Sequence, residues 1–320
     1  MIMKRNVCFI LVTFLLIGCN GRGHKELAAS FPIITPPAMM DDAQDRADYM
    51  AIHFWDAYTD LSRKYSADTS LAGGVGRKEV ERKFADWASY LGMVDFGTAV
   101  KSVETLYAKV SGCEARDTSS NIFESINKLV QKYLYDPNSP FRNEDLYGTY
   151  AALLSQSPFI GETSKGIYAY DAGLCAKNRT GTRAADFRFR DISGRSYTLY
   201  GIKADFVLIF FSNPGCNACL EIIENMKYSK EMDYLISTGQ LVVVNLYIDE
   251  DIEAWKSYMP VYPDSWYNVF DPDYVIRTDL LYNIRAIPSL YLLDKDKNVL
   301  MKDAVPENVF SFFNAYIQGL

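Results

Sequence analysis

Cys216 and Cys219 are two thiols separated only by Asn217 and Ala218. Ahead of them, Phe206-Val-Leu-Ile-Phe-Phe-Ser212 is an apolar run rich in β-branched and aromatic residues, stopped by Asn213-Pro-Gly215. It reads as a buried strand ending in a turn. Behind them, Cys219 to Tyr228 has helical spacing, with Leu220, Ile223 and Met226 as a candidate apolar face. Both thiols therefore fall on the first turn of a helix that leaves a central strand. Unpaired N–H groups and the dipole at a helix start favour negative charge, so Cys216 should ionise more readily than a free thiol of pKa about 8.5. Cys216 is read as the nucleophile, and Cys219, one turn deeper, as the residue that resolves a mixed disulfide. Pro214 and Gly215 leave the leading thiol open, because glycine adds no side chain where a partner's backbone must approach. A structural disulfide or half of a zinc site would use the same pair. Zinc needs two more ligands, the other cysteines are isolated and neither histidine is near, so no metal is expected.

Downstream lies Arg285-Ala-Ile-Pro288-Ser-Leu-Tyr-Leu-Leu-Asp294. Proline cannot donate within a central strand, so Pro288 should open a strand over 289–293. A cysteine pair at a strand–helix junction, followed by Ile-Pro before a strand, resembles the thioredoxin superfamily. The resemblance implies that the Ile287-Pro288 bond is cis and packs against the cysteine pair, and that Ile287 offers backbone groups to an extended substrate. Base rates alone would favour an ordinary trans proline.

Ala184-Ala-Asp-Phe187 opens two alternating segments, 186–191 and 195–200, around Ser193-Gly194, as in a hairpin. Such a hairpin before the central strand resembles the TlpA/ResA-type thiol:disulfide oxidoreductases. The fold class expected for 181–320 is thus an α/β thioredoxin-like domain, a central mixed sheet flanked by helices with an N-terminal hairpin extension. Further strands are expected at 241–248 and 298–302, with helices at 251–258, 273–282 and 306–317. Three positions depart from the family's pattern. Its buried aspartate six residues before the first cysteine is Phe210 here, its tryptophan directly before that cysteine is Gly215, and its glutamate after the second is Ile222. The proton acceptor for Cys219 is left open. Glu221 and Glu224 are near in sequence, although helical carboxylates are more often solvated.

At the N-terminus, Lys4 and Arg5 precede an apolar run, Val7–Ile17, too short to span a bilayer comfortably. Leu16-Ile-Gly-Cys19 resembles a bacterial lipobox, so 1–19 is expected to be a lipoprotein signal and Cys19 the lipidation site. A cleaved secretory signal with an incidental Cys19 is the competing reading. Residues 20–30 form a small, polar tether, and Phe31-Pro-Ile-Ile-Thr-Pro-Pro37 is extended by its prolines. Helical patterns follow at 41–64, 77–91, 95–109, 119–135 and 144–155, making 31–160 a mostly helical domain. Residues 156–180 are Gly-, Ser- and Tyr-rich, and 161–180 within them reads as a linker. This domain order, with Tyr49 and Phe54-Trp-Asp56, resembles a group of Bacteroidetes lipoproteins whose helical module has no assigned function.

The formal charge of −7 becomes −9 once Lys4 and Arg5 leave with the signal, which argues against nucleic acid and against electrostatic attachment to anionic lipid. An exported setting permits disulfides. Cys113 and Cys175 either pair as a structural staple or remain two buried thiols, since nothing in sequence fixes their distance.

The reading is a lipid-anchored thiol:disulfide oxidoreductase of the cell envelope, facing the periplasm. It exchanges disulfides with protein substrates through Cys216 and Cys219, without a cofactor beyond that redox disulfide. By resemblance to the TlpA/ResA type it is a reductant supplied by a membrane electron carrier or upstream thiol. The bilayer is a partner through Cys19; nucleic acid is not. Two alternatives stand beside it. One is a non-catalytic scaffold lipoprotein that keeps the pair as a structural disulfide. The other is a peroxiredoxin-like peroxidase, whose usual Thr and Pro before the cysteine are Asn213 and Ile209 here.

Overall fold

A computed structural model describes residues 28–65 and 68–319. In the N-terminal part, α1 (Ala43–His53) begins where the Asp42 carboxylate accepts the N–H groups of Gln44 and Asp45, at 2.7 and 3.0 Å. Such a cap satisfies donors that the helix itself cannot. The helical spacing suggested a helix reaching residue 64, but it ends at His53 and residues 54–59 form turns. Those turns fold Trp55 and Tyr58 inward, where Phe31 packs on both rings.

The glycines after Leu71 form a small ribbon, β1 (Leu71–Ala72) and β2 (Val75–Gly76), from which α2 (Arg77–Leu91) leads off. Val80, Phe84, Trp87 and Leu91 bury one face of α2. Next come α3 (Phe96–Arg116), longer than its expected segment, and α4 (Ile122–Val130), which continues as one wide π turn over Gln131–Tyr135. Helix α5 (Glu144–Ser155) spans the expected residues. Helix α6 (Glu162–Cys175) occupies the stretch expected to be a linker. Its Tyr168, Ala172 and Cys175 turn to the core at spacings of four and three, while Gly166 and Gly173 face open space.

Cys113 and Cys175 do not form the staple held open above; both are free and buried. They sit in different surroundings. Cys113 lies against Thr59 and Tyr65, whereas Cys175 lies against Gly148 of α5. Burial pushes the Cys175 thiol up to about 12, which keeps it protonated and unreactive at neutral pH. A Cβ added at Gly148 would stand 2.6 Å from the Cys175 Cβ, which belongs to the framework of α6. Gly148→Ala gains about 1 kcal/mol of helix propensity but forces α5 and α6 apart, an overpacking cost of about 1–3 kcal/mol. Net destabilisation is expected in urea unfolding; a midpoint equal to or above wild type would refute the close approach.

The C-terminal part is a seven-stranded sheet in the order β4-β3-β7-β6-β5-β8-β9. Its strands are β3 (Arg188–Asp191), β4 (Ser196–Thr198), β5 (Phe206–Phe211), β6 (Leu241–Tyr247), β7 (Tyr267–Phe270), β8 (Ser289–Asp294) and β9 (Val299–Met301). Strands β5, β6 and β7 run parallel; β8 is antiparallel to β5, and the β3–β4 hairpin joins antiparallel to β7. Helices α7 (Asn217–Tyr228) and α8 (Lys230–Ser237) form the crossover from β5 to β6, which parallel neighbours require. Helices α9 (Ile252–Ser257), α10 (Val275–Thr278) and α11 (Pro306–Gln318) complete the part. All six residues of β5 are buried, because both sheet faces are covered. This is a thioredoxin-like domain with a mixed sheet and a hairpin extension, preceded by a mostly helical domain, as the sequence implies.

The two domains have separate cores and meet largely through polar contacts. Arg142 donates to the carbonyls of Asp303 and Ala304 at 3.1 and 2.9 Å. Lys302 donates to those of Cys175 and Lys177 at 2.7 Å each, and Asn178 to that of Leu281 at 2.9 Å.

Candidate active site

Strand β5 delivers the chain to a turn at Asn213-Pro214-Gly215, where Gly215 takes φ +72. That conformation strains any residue with a Cβ, so the turn requires glycine here. It places Cys216 at the N-cap of α7, its Sγ accepting the Cys219 N–H at 3.2 Å. Cys216 and Cys219 are joined as a disulfide with Cα atoms 5.2 Å apart. Cys216 is half-buried; Cys219 is only 1% exposed, on the buried face of α7 with Ile222, Ile223 and Met226. The buried face of α7 thus differs from the one expected: Leu220 points outward and Ile222 replaces it. The outer sulfur is open to a partner and the inner one is shielded.

Register brings the second element in. Phe211 at the end of β5 stands opposite Ser289 at the start of β8, so Pro288 lies beside the turn that carries Cys216. The Ile287-Pro288 bond is cis. Among the described residues no group of three His, Cys, Asp or Glu side chains is placed to hold a metal. Cys19 lies outside the described residues.

Phe210 is buried on the α7 side of the sheet, and its neighbour across β6 on that face is Asn245. Ser212 donates to Asn245 Oδ1 at 2.5 Å, Asn245 to Asn268 at 3.0 Å, and Asn268 to the Pro263 carbonyl at 2.9 Å. Tyr262 lies against this chain, and burial pushes its phenol up to about 12. The cluster is polar yet holds no base at neutral pH. Neither glutamate takes the missing role: Glu221 is exposed, and Glu224 pairs with Lys227 on the outer face of α7 at 3.3 Å.

A charged cluster that sequence reasoning missed stands behind the Ile-Pro turn. Glu144, at the first position of α5, is wholly buried and accepts from Arg285 Nε at 2.7 Å and Asn283 Nδ2 at 2.9 Å, with Lys302 Nζ at 3.0 Å. Asp303 accepts from Arg285 Nη2 at 2.7 Å and Ser289 Oγ at 2.8 Å. The Arg285 guanidinium also lies over the Tyr135 ring, 4.3 Å from its centroid. Burial pushes the Glu144 carboxyl up, and the nearby Lys302 and Arg285 oppose that shift.

The DUF5106 family, described as a domain of unknown function, matches residues 16–178, half of the chain. The chain belongs to the DUF5106 family. This DUF5106 chain is similar to a thioredoxin-like protein from Bacteroides caccae whose crystal structure is known. The two are 31% identical, the match covers 91% of this chain and 100% of that one, and the TM-score is 0.76. The C-terminal domain of a Bacteroides fragilis protein is 42% identical over 43% of this chain and 99% of its own, with a TM-score of 0.42. No curated protein matches the DUF5106 chain.

Proposed function

We propose that the chain is a thiol:disulfide oxidoreductase of the cell envelope, held to a membrane by lipid on Cys19 and working as a reductant of protein disulfides. The observation that carries this reading is the Cys216–Cys219 pair itself, an open sulfur at a helix N-terminus bonded to a shielded one. Helix-start N–H groups stabilise the Cys216 thiolate released on reduction.

In the reduced state the Cys216 thiolate attacks one sulfur of a substrate disulfide. A Cys216–substrate bond forms, the substrate S–S bond breaks, and one substrate thiolate leaves. The Cys219 thiolate then attacks Cys216 Sγ, closing the disulfide and releasing the second substrate thiolate. Two electrons pass to the substrate, and the two leaving thiolates take up the protons lost by the cysteines. An upstream dithiol or membrane electron carrier of the same two-electron capacity restores the pair. Backbone groups at Ile287 hold an extended substrate segment beside Cys216.

Equilibration of the soluble chain from Asn20 against glutathione and dithiothreitol buffers, read by thiol alkylation, tests both activity and direction. A potential near roughly −270 mV is expected for a reductant; one near roughly −120 mV would make it a disulfide donor. A pair that stays oxidised in strong reductant, or a chain that unfolds when reduced, would make the disulfide structural and the chain a scaffold.

A further inference from the structure

The helical domain carries a cavity of about 570 Å³, lined by Phe31, Ile33, Met50, Phe54, Tyr90 and Met93 among others. Its walls are the extended segment before α1, one face of α1, and α2 with the turn that follows it. Each edge is fastened by a hydrogen bond. The Phe31 N–H donates to Glu79 of α2 at 3.0 Å. From α1, Gln44 Nε2 donates to the Met93 carbonyl at 3.2 Å and Arg46 Nη1 to the Met40 carbonyl at 3.3 Å.

The floor, Phe31, Met50 and Phe54, is buried, whereas Ile33 at 71% and Met93 at 58% exposure stand open at the mouth. Large apolar side chains left open around a concave apolar surface mark a binding site. The volume lies in the small-ligand range of roughly 300–1,000 Å³. Met50 and Met93, from two different walls, are flexible and conform to a chain without a fixed shape of its own.

Charge narrows what that ligand is. The charged residues of the lining are Arg46, Lys83 and Asp86. Lys83 and Asp86 pair with each other at 2.8 Å. Asp42, one turn before Arg46, is committed to capping α1. Arg46 forms no ion pair among the described residues, and its one hydrogen bond there leaves further guanidinium donors open. An apolar cavity with a single unmatched cation at its rim is complementary to an apolar chain that ends in one anionic group.

We infer that this cavity binds a fatty-acid anion, its tail on Phe31, Met50 and Phe54 and its carboxylate at Arg46. The helical domain is then a ligand-binding module in its own right. The inference stands apart from the redox reading, since no residue of the thioredoxin-like domain lines the cavity.

The test is calorimetric titration of the chain from Asn20 with dodecanoate, kept below its micellar range, and with dodecyltrimethylammonium, which has the same tail and the opposite charge. Saturable binding of one dodecanoate is expected, with Kd on the order of 100 µM or tighter. The cationic amphiphile should bind at least about tenfold more weakly. Arg46→Gln should weaken dodecanoate about threefold, as an exposed ion pair does. Ala43 also lines the cavity but is exposed, so Ala43→Phe obstructs it without touching the core, and should weaken dodecanoate at least about tenfold.

Absence of saturable dodecanoate binding overturns the inference. So does equal binding of the two amphiphiles, or binding that Ala43→Phe leaves unchanged. Two further results would give the face another occupant and overturn it as well. One is flotation of the chain with phosphatidylcholine vesicles, lost in Ala43→Phe, without dodecanoate binding. The other is a dimer in sedimentation that Ala43→Phe abolishes.

Discussion

Cys219→Ser, with Cys216 intact, is expected to trap the reaction half-way. The outer thiolate of Cys216 can still attack, but nothing remains to close on it, so a covalent adduct with the substrate should survive on a non-reducing gel and in the intact mass. Cys216→Ser should form no adduct and should lower disulfide reduction on the order of a thousandfold or more, since an alcohol is not ionised at neutral pH. The roles differ because the positions differ: Cys216 is half-buried at the head of α7, whereas Cys219 is on the helix's buried face at 1% exposure. The wild type should show the adduct transiently as well. Phe210 and its cross-strand neighbour Asn245 offer no carboxylate to take the Cys219 proton, so closure of the disulfide is expected to be the slower step. An adduct on Cys219 rather than Cys216 would reverse the assignment.

The second large effect is expected far from sulfur. Lys302→Met removes a cation that is 2% exposed and leaves the wholly buried Glu144 with one partner fewer, and the carbonyls of Cys175 and Lys177 without theirs. Breaking a buried ion pair from one side typically costs about 3–5 kcal/mol. Because the two domains have separate cores and Lys302 bridges them, much of the loss should fall on the joint. Scanning calorimetry should show a lower Tm and separation into two transitions. One cooperative transition at the wild-type temperature would mean that the bridge contributes nothing.

Much of the redox half is legible in the chain because its signals are local. The run before Asn213 can only be a buried strand, the cysteine spacing sits on the turn after it, and Pro288 opens β8 as its missing N–H dictates. Helices α2 and α5 likewise follow from apolar spacing. Other features leave no such trace. Gly166 and Gly173 made α6 look like a linker, although both fall on its open face. Residues 273–282, expected as one helix, hold only the short α10, and neither α8 nor β7 announced itself. Glu144 is indistinguishable in sequence from any acid placed at a helix start for the dipole. Its partners Asn283, Arg285 and Lys302 are far along the chain, so only the folded arrangement brings the cluster together. Arg285 stood next to Ala-Ile-Pro288, and adjacency to that turn was its one available signal.

The joint between the domains also bears on which substitutions the protein can absorb. Arg142, Asn178 and Lys302 reach across it to main-chain carbonyls, those of Asp303, Ala304, Leu281, Cys175 and Lys177. A carbonyl is retained whatever side chain its residue bears. These contacts therefore do not depend on which side chains those residues carry, and the docking geometry persists so long as the few reaching residues keep their length and charge. The two domains are free to diversify on their outer faces while turning the same face to one another.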